Sequence, residues 1–408
     1  MNNLIYIPSR YYKTLLLLLI AIDFYGLIPF DFLTSKGMQL LIYIPLTVLG
    51  LFQSKTIMHK CIFAIYIAVF CNAVSSLVYN SQSIIASLSA SFFVFHFSVF
   101  FGLYSIKPSY YELEKVVVQL AKIGLLLYFI QYIFIDVPIL TSVTGWRVEN
   151  DYDLMRFGVS GDAIIVLTFL LFLNRIVLKF KRKYLVFVIL SLLMFLLHGY
   201  RSILIGVVLA FLFMYYRIYG LQKFYKVFLM VCLAGVVFYG LTQLDFLKES
   251  LSFMSEKSAN ESGDIESNVR IMELLYFYNE YLQSPFEWVF GGGFLGNSSY
   301  GKYMQNIQDV GSLFYGRVNW VDLGFIGMSF VGGLTLVILW FRLLLLTLKK
   351  VPTQYLYIGA FTIYIIASSI TLNIGCSSSA IAIECVALYM FMLVFKNRKN
   401  EKNSILLK

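Results

Sequence analysis

Long apolar runs separated by short polar segments repeat along most of the 408-residue chain. Runs of roughly 17 to 25 mostly apolar residues are long enough to cross the hydrocarbon core of a bilayer as helices. In lipid each backbone polar group must bond within its own segment, so a helix is the expected conformation of each run. Twelve runs predict transmembrane helices over about 14–33, 37–54, 61–79, 84–105, 115–135, 161–179, 184–199, 203–219, 226–243, 321–342, 353–372 and 378–395.

Composition supports an integral membrane protein. The chain is 60% hydrophobic, 18% aromatic and only 13% charged, with a mean hydropathy of +0.79. This amount of apolar surface excludes an ordinary soluble domain. We therefore expect an all-α fold in which residues 1–408 form a single polytopic membrane domain. The first run, from about Thr14, has no small-residue cleavage pattern after it, so we expect a retained span and not a signal peptide.

The net charge of +10 indicates membrane topology and not nucleic-acid binding. Lys and Arg fall mainly in the short loops between apolar runs, and alternate threading of the runs collects most of them on one side. The positive-inside rule makes that side cytoplasmic. Both termini are then cytoplasmic, and the two longest loops, about 244–320 and 136–160, are extracytoplasmic.

Arginines on the predicted outer face run against the cytoplasmic bias of the other cations. They are Arg147, Arg156, Arg201, Arg270 and Arg317. A guanidinium near the bilayer requires a polar partner, and its planar fork binds phosphate through two parallel hydrogen bonds. Snorkelling to the interface or contact with lipid headgroups is the alternative for each of them. Arg201 is the hardest to explain in that way, because it lies in a short turn between two strongly apolar runs.

The large loop contains a predicted amphipathic helix. Ser267 can cap it, Pro285 ends it, and one apolar stripe consists of Ile271, Leu274, Leu275, Tyr278 and Leu282. Such a helix would lie on the bundle or at the membrane interface. Arg270, in the first turn, borders the stripe and can point toward whatever the loop covers. A surface ion pair with Glu273 or Glu266 is the open alternative.

The glycine-rich run GGGFLG (Gly291 to Gly296) follows this helix. Successive N–H groups in such a run can form a nest that binds an anion. The run lacks the Lys and Ser/Thr of a nucleotide-binding loop and follows no strand, which favours a flexible turn. Nearby aromatic residues, including Trp320, can stack on sugar rings, although Trp and Tyr are also common at any membrane interface.

Three carboxylates are candidates for acid–base chemistry. Asp322 stands where the large loop meets the tenth predicted span, whereas Glu384 and Asp23 lie inside predicted spans. An ionisable group within a span is a candidate functional residue, but each could be half of a structural pair, which we favour for Asp23. The five cysteines show no metal-ligand spacing. We expect no metal and no cofactor.

Four segments carry a resemblance to a known family: MRFGVSGDAI (Met155 to Ile164), GYRSILIGVVLAF (Gly199 to Phe211), NVRIMELLYFYNEYLQSPFEWVFGGGF (Asn268 to Phe294) and VDLGFIGMSFVGG (Val321 to Gly333). Together with about twelve spans and one large late outer loop, they resemble the bacterial O-antigen and capsular-polysaccharide repeat-unit polymerases, which are related to the O-antigen ligases. The resemblance implies a helical fold like that of the glycosyltransferases that use lipid-linked sugars.

The resemblance also implies a reaction. Such an enzyme joins oligosaccharide repeat units carried on undecaprenyl diphosphate, at the outer face of the bacterial plasma membrane, without metal or nucleotide. Arg201 and Arg270 would grip the diphosphate, and Arg156 is a weaker candidate. Arg147, Arg317 and Trp320 are further substrate-binding candidates. Membrane lipid is an expected partner, and a chain-length regulator protein is a further candidate partner. No nucleic acid is expected to bind.

The general base stays open. Ligases of this group resemble one another in a histidine after the large loop, where this chain has Asn319, Trp320 and Asp322. That difference favours a polymerase over a ligase and leaves Asp322 as the nearest carboxylate. The ligase remains an alternative, and a lipid-linked oligosaccharide flippase or other transporter is the alternative of another class. A symmetrical transporter does not need the large outer loop.

Overall fold

The computed structural model describes residues 9–53, 56–134, 137–141, 159–198, 201–220, 269–282, 284–294, 320–349, 351–370, 375 and 377–406. Within these ranges the chain is helical and has no β-strand, and one isolated backbone bridge joins Leu27 to Leu140. The α-helices are α1 (Ser9–Ala21), α2 (Lys36–Phe52), α3 (Ile57–Asn80), α4 (Ile84–Ala90), α5 (Ser98–Ile106), α6 (Tyr110–Ile133), α7 (Asp162–Leu178), α8 (Arg182–His198), α9 (Arg201–Tyr219), α10 (Val269–Tyr276), α11 (Pro285–Phe290), α12 (Gly324–Leu345), α13 (Leu356–Ser368) and α14 (Ser378–Leu406).

Five of the helical segments are long and apolar enough to cross a membrane. They are Ile57–Asn80, Tyr110–Ile133, Ser202–Tyr219, Gly324–Leu348 and Ser378–Lys396. A sixth candidate combines Ile84–Ala90 with Phe92–Ile106, which are bent by 64° relative to each other. The described part of the chain is therefore all-α, as predicted, and its long apolar helices indicate a multi-pass membrane protein. Twelve spans and a glycosyltransferase-like arrangement stay predictions, and the ninth predicted span, 226–243, lies outside the described residues.

The first predicted span, 14–33, is wrong as a single helix. Helix α1 ends at Ala21, and Asp23, Phe24 and Tyr25 then adopt left-handed φ angles of 53°, 46° and 63°. That conformation costs L-residues roughly 1–2 kcal/mol each. Tertiary hydrogen bonds offset it: the Asp23 carboxylate accepts bonds from Gln39 and Ser160, and the Tyr25 hydroxyl donates to the Leu120 carbonyl at 2.7 Å. Asp23 therefore has structural hydrogen-bond partners, and its role stays a prediction.

Helix α12 is bent back on itself at Gly333, where φ is 84° and ψ is 157°. The rings of Phe325 and Phe341 lie on opposite sides of this kink, yet their centroids are 4.7 Å apart. In a straight helix 16 residues would span about 24 Å. Residues 324–332 and 334–345 therefore form two arms that pack against each other. Hydropathy alone cannot show such a bend, because both arms are apolar.

The kink leaves carbonyl groups of α12 without helical hydrogen bonds, and backbone N–H groups of the glycine run donate to them. The N–H groups of Gly292 and Gly293 donate to the carbonyls of Phe330 and Val331, each at 3.0 Å. From α3, the Asn72 side-chain amide donates to the Val331 carbonyl at 2.6 Å. The run is thus fixed between α3 and the kink by hydrogen bonds that replace those of an unbroken helix.

Helix α3 contributes two further side chains to the same junction. Asn80 donates to the Gly292 carbonyl at 2.5 Å. Gln82, just beyond the end of α3, donates to the Phe294 carbonyl at 2.8 Å. Buried carbonyls without a donor are costly in an apolar interior, so these amides stabilise the run.

Gly293 and Gly333 are two of the positions at this junction that require glycine. A β-carbon added to Gly333 would lie 2.3 Å from the Phe290 carbonyl carbon, and one added to Gly293 would lie 2.3 Å from the Ser76 β-carbon. Their φ angles of 84° and 112° are also unfavourable for any residue with a side chain. The close approach of the run to the kink therefore depends on both residues.

We predict that Gly333→Ala and Gly293→Ala each destabilise the protein by more than about 2 kcal/mol, because strain in φ adds to a steric clash. Thermal unfolding of the purified protein in detergent measures the effect. Gly37→Ala is the control, since a β-carbon there meets nothing within 4 Å. Equal melting temperatures for Gly333→Ala and Gly37→Ala would contradict the proposed role of the kink.

Candidate functional site

The segment that contains Arg270 packs against the kinked helix through aromatic residues. Helix α10 continues into a π-helical turn, Phe277–Tyr281. The Phe277 ring stacks on Phe330 with centroids 5.7 Å apart and an interplanar angle of 3°. The Tyr281 hydroxyl donates to the Gly293 carbonyl at 2.6 Å. The glycine run and α12 therefore hold this segment in place.

Most of the apolar stripe predicted for α10 does not pack on the bundle, and its predicted position at the membrane interface stays a prediction. Glu273, Phe277 and Tyr281 are the buried residues, at a spacing of four, whereas Leu274, Leu275 and Tyr278 of the predicted stripe are exposed. The π-helical turn and the aromatic partners on α12 select a different face from the most apolar one. Leu282 is buried as expected, and Ser267, the predicted cap, lies outside the described residues.

A new helix, α11, begins where the predicted one ends. Pro285 is its first residue, and Ser284 caps it by accepting a bond from the Glu287 N–H while the Glu287 carboxylate accepts one from the Ser284 N–H. This reciprocal capping box explains why a buried glutamate is found here. Helix α11 then leads directly into the glycine run.

Arg270 is exposed in the first turn of α10. Residues Leu274 and Tyr278 follow it at spacings of four and eight, so they share its face of the helix. This outward face combines one cation with an apolar stripe. Helix α10 also packs against the 3₁₀ turn Trp320–Leu323, which includes Asp322 and precedes α12. Two of the predicted site segments are therefore neighbours.

Trp320 is half-buried within an aromatic cluster. Its ring centroid lies 5.5 Å from that of Phe294 and 6.1 Å from that of Phe93. Phe93 also contacts Trp340, at 6.4 Å, from the second arm of α12. Part of the Trp320 ring surface is thus used for packing, which leaves only its remaining surface for any sugar.

Arg201 is the first residue of α9, a helix that is linked to the start of α12 through α13. Helix α9 packs along α13, where Gly206 lies against Tyr364 and Ser368. The next residue, Ser369, accepts a bond from the Phe325 N–H at 2.9 Å. The start of α9, the end of α13 and the start of α12 therefore adjoin one another.

We name the resulting arrangement the arginine corner: the first turn of α9, the 3₁₀ turn Trp320–Leu323, and α10. The backbone positions of Arg201, Asp322 and Arg270 all belong to it. The side chains of Arg201 and Asp322 are outside the described part of the structure, and so are the residues Arg147, Arg156 and Arg317. Their predicted roles in substrate binding stay predictions.

A buried carboxyl group lies beside this corner. Glu384 of α14 is 1% exposed, and its Oε2 accepts a bond from the Trp340 indole at 3.0 Å. Its Oε1 has no hydrogen-bond partner among the described residues and lies 3.4 Å from the position of a β-carbon on Gly375. The Gly375 N–H in turn donates to the Ser369 hydroxyl at 2.8 Å. The sequence marked Glu384 as a candidate, but its relation to the corner required the fold.

The glycine run is not an anion-binding nest. The Gly291 N–H donates to the Glu287 carbonyl at 2.6 Å, and the next two N–H groups donate to α12. All three glycines are buried, so their N–H groups are not free to bind an anion. The last two residues of the run, Leu295 and Gly296, lie outside the described residues. Among the described residues, no group of three or more His, Cys, Asp and Glu side chains is placed to hold a metal ion.

We predict that Glu384→Leu destabilises the protein by about 1–3 kcal/mol, because it leaves the Trp340 indole buried without an acceptor. Glu384→Gln keeps an acceptor oxygen and should unfold near the wild-type temperature. Adding Trp340→Phe to Glu384→Leu removes the indole N–H that has lost its acceptor, and it should recover part of the lost stability. Thermal unfolding in detergent measures all three, and a Glu384→Leu variant as stable as the wild type would exclude this pairing as a structural contact.

Comparison with known proteins assigns no family. No protein-family model matches the chain, and no curated protein matches it. Function is therefore inferred from the residues and geometry of the arginine corner.

Proposed function

We propose that the protein is a polysaccharide polymerase that joins undecaprenyl-diphosphate-linked oligosaccharide repeat units on the outer face of a bacterial plasma membrane. The outward face of α10 is the observation that carries the proposal. It presents the exposed Arg270 next to the exposed apolar residues Leu274 and Tyr278. A lipid diphosphate is a ligand of that kind, with an anionic group joined to a long hydrocarbon chain.

The chemistry requires charge stabilisation on the leaving group. A hydroxyl of one repeat unit attacks the anomeric carbon of another, the bond from that carbon to the diphosphate oxygen breaks, and the diphosphate leaves with the electron pair. Guanidinium groups can stabilise the developing negative charge through paired hydrogen bonds. Arg270 and Arg201 are the proposed diphosphate ligands. The packing of α10 on the turn Trp320–Leu323 supports the assignment of Arg270, and Arg201 is assigned from its position at the start of α9, a helix that packs on α13.

A base must accept the proton of the attacking hydroxyl. We assign this role to Asp322, because its turn packs directly on α10. Trp320, in the same turn, and Arg147, Arg156 and Arg317 are the proposed contacts to the sugars and the remaining phosphate oxygens. No metal or nucleotide is part of the proposed reaction.

Undecaprenyl-diphosphate-linked oligosaccharide is the proposed substrate, in O-antigen, capsule or exopolysaccharide synthesis. Membrane lipid surrounds the bundle, and a chain-length regulator is the proposed protein partner. In this topology both termini are cytoplasmic, whereas 244–320 and 136–160 are extracytoplasmic. The glycan that accumulates in a knockout strain distinguishes the polymerase from its alternatives. Single repeat units on the outer face favour a polymerase, and long carrier-linked polymer favours a ligase. Repeat units that accumulate on the inner face favour a flippase.

We predict that Arg270→Ala and Arg201→Ala each reduce polymer formation by at least about 100-fold, as expected when a group that stabilises a transition-state charge is removed. Arg270→Lys should retain part of the activity, because an ammonium keeps the charge but not the paired hydrogen bonds. Glycan ladders from complemented knockout cells measure polymer, and immunoblots of the membrane fraction verify insertion.

Arg217→Ala is the matched control. Arg217 lies on α9, as Arg201 does, but near the other end of the helix, where its guanidinium stacks over the Phe213 ring at 5.6 Å. It should support normal polymer. Long polymer in both Arg270→Ala and Arg201→Ala cells would overturn the proposed mechanism.

The proposed topology is tested separately by cysteine labelling. Glu280 and Lys181 are both exposed, and we place them on opposite sides of the membrane. In a background without the five native cysteines, Glu280→Cys should react with a membrane-impermeant maleimide in spheroplasts. Lys181→Cys should react only after permeabilisation. The reverse pattern would contradict an outer-face enzyme.

A further inference from the structure

A cavity of about 380 Å³ lies between α3 and the second arm of α12. It adjoins the first turns of α3, whereas the glycine run packs near the other end of that helix. The residues lining it are Ile57, Lys60, Cys61, Ala64, Leu339 and Arg342. Two of these are cations and the others are apolar or small, so the cavity combines positive charge with hydrophobic walls.

Neither Lys60 nor Arg342 has a charged partner in the described part of the chain. Helices α3 and α12 contain no Asp or Glu. Lys60 also lies in the first turn of α3, where the helix dipole disfavours a cation. Two like charges facing one cavity repel each other, so an anion between Lys60 and Arg342 would be favourable for both.

The surface beside the cavity is apolar and exposed. Ile67 follows Lys60 by seven residues on the same face of α3 and is 65% exposed. Ile338 precedes Arg342 by four residues on α12 and is 63% exposed. In a membrane protein such residues contact lipid chains. A ligand that places an anion in the cavity can therefore extend hydrocarbon along both helices, which favours a lipid over a free inorganic anion.

We propose that this cavity binds the phosphate of an anionic phospholipid, with Lys60 and Arg342 as its ligands and an acyl chain lying along Ile67 and Ile338. The site shares no residue with the arginine corner. It does not rest on the proposed function.

The test uses the full-length protein, delipidated in an uncharged detergent and titrated with phosphatidylglycerol, phosphatidylcholine or inorganic phosphate. Native mass spectrometry measures bound lipid, and thermal unfolding measures stabilisation. Phosphatidylglycerol should bind at least about tenfold more tightly than phosphatidylcholine, which has no net charge. Inorganic phosphate at the same concentration should not raise the melting temperature, because it gains nothing from the apolar surface.

Matched variants locate the site. Lys60→Ala combined with Arg342→Ala should abolish the preference for phosphatidylglycerol. Lys179→Ala combined with Lys181→Ala removes the same charge from an exposed segment between α7 and α8 and should leave the preference intact. Ala64→Trp fills the cavity without changing charge and should also weaken binding, which keeps the test decisive if the double variant does not fold.

Three results would overturn the proposal. The Lys60/Arg342 double variant could retain the wild-type preference, or the two lipids could bind equally well to the wild type. The third is full stabilisation by inorganic phosphate alone, which would show an anion site that takes no lipid.

Discussion

The hydrogen bonds between the glycine run and the kink of α12 are the constraint on which the rest of the arrangement depends. An apolar helix that turns back at Gly333 exposes the carbonyls of Phe330 and Val331, and in a bundle without water these need donors. Gly292 and Gly293 supply two N–H groups at 3.0 Å each. The same docking positions α11, the π-helical turn and α10, and therefore Arg270. The arginine corner is a consequence of satisfying backbone groups at a bend.

Much of the secondary structure could be predicted from hydropathy, because the physical rule that lipid demands internally bonded backbone is simple. Ile57–Asn80, for example, encloses the predicted span 61–79, and Tyr110–Ile133 covers the predicted span 115–135 except for its last two residues. The predictions failed where tertiary bonds override local preference. Asp23 to Tyr25 adopt left-handed angles because Gln39, Ser160 and Leu120 bind them. The bend of α12 was invisible because it changes no residue's polarity.

The candidate site was predictable in its residue types and not in its geometry. Arg270 is separated in sequence from Trp320 and Asp322 by the rest of the large loop, and the fold makes their two segments neighbours. The glycine-rich run could have formed an anion nest, yet the N–H groups of its three glycines donate to carbonyls of α11 and α12. Which face of α10 is buried depended on Phe330, a partner on another helix. Long-range partners of this kind cannot be read from a local pattern.

The amides of α3 have a consequence for the order in which the protein is made. Asn72 bonds to carbonyls that lie 218 and 259 residues later in the chain, and Asn80 and Gln82 bond to carbonyls 212 residues later. Ribosomes add residues one at a time from the N-terminus, so α3 enters the membrane well before those carbonyls exist. Until then its polar side chains need temporary partners, such as water or an insertion factor. The bundle can therefore be completed only after the last third of the chain has been made. Until then the early helices keep unpaired amide side chains on the surface of α3 that later contacts the glycine run.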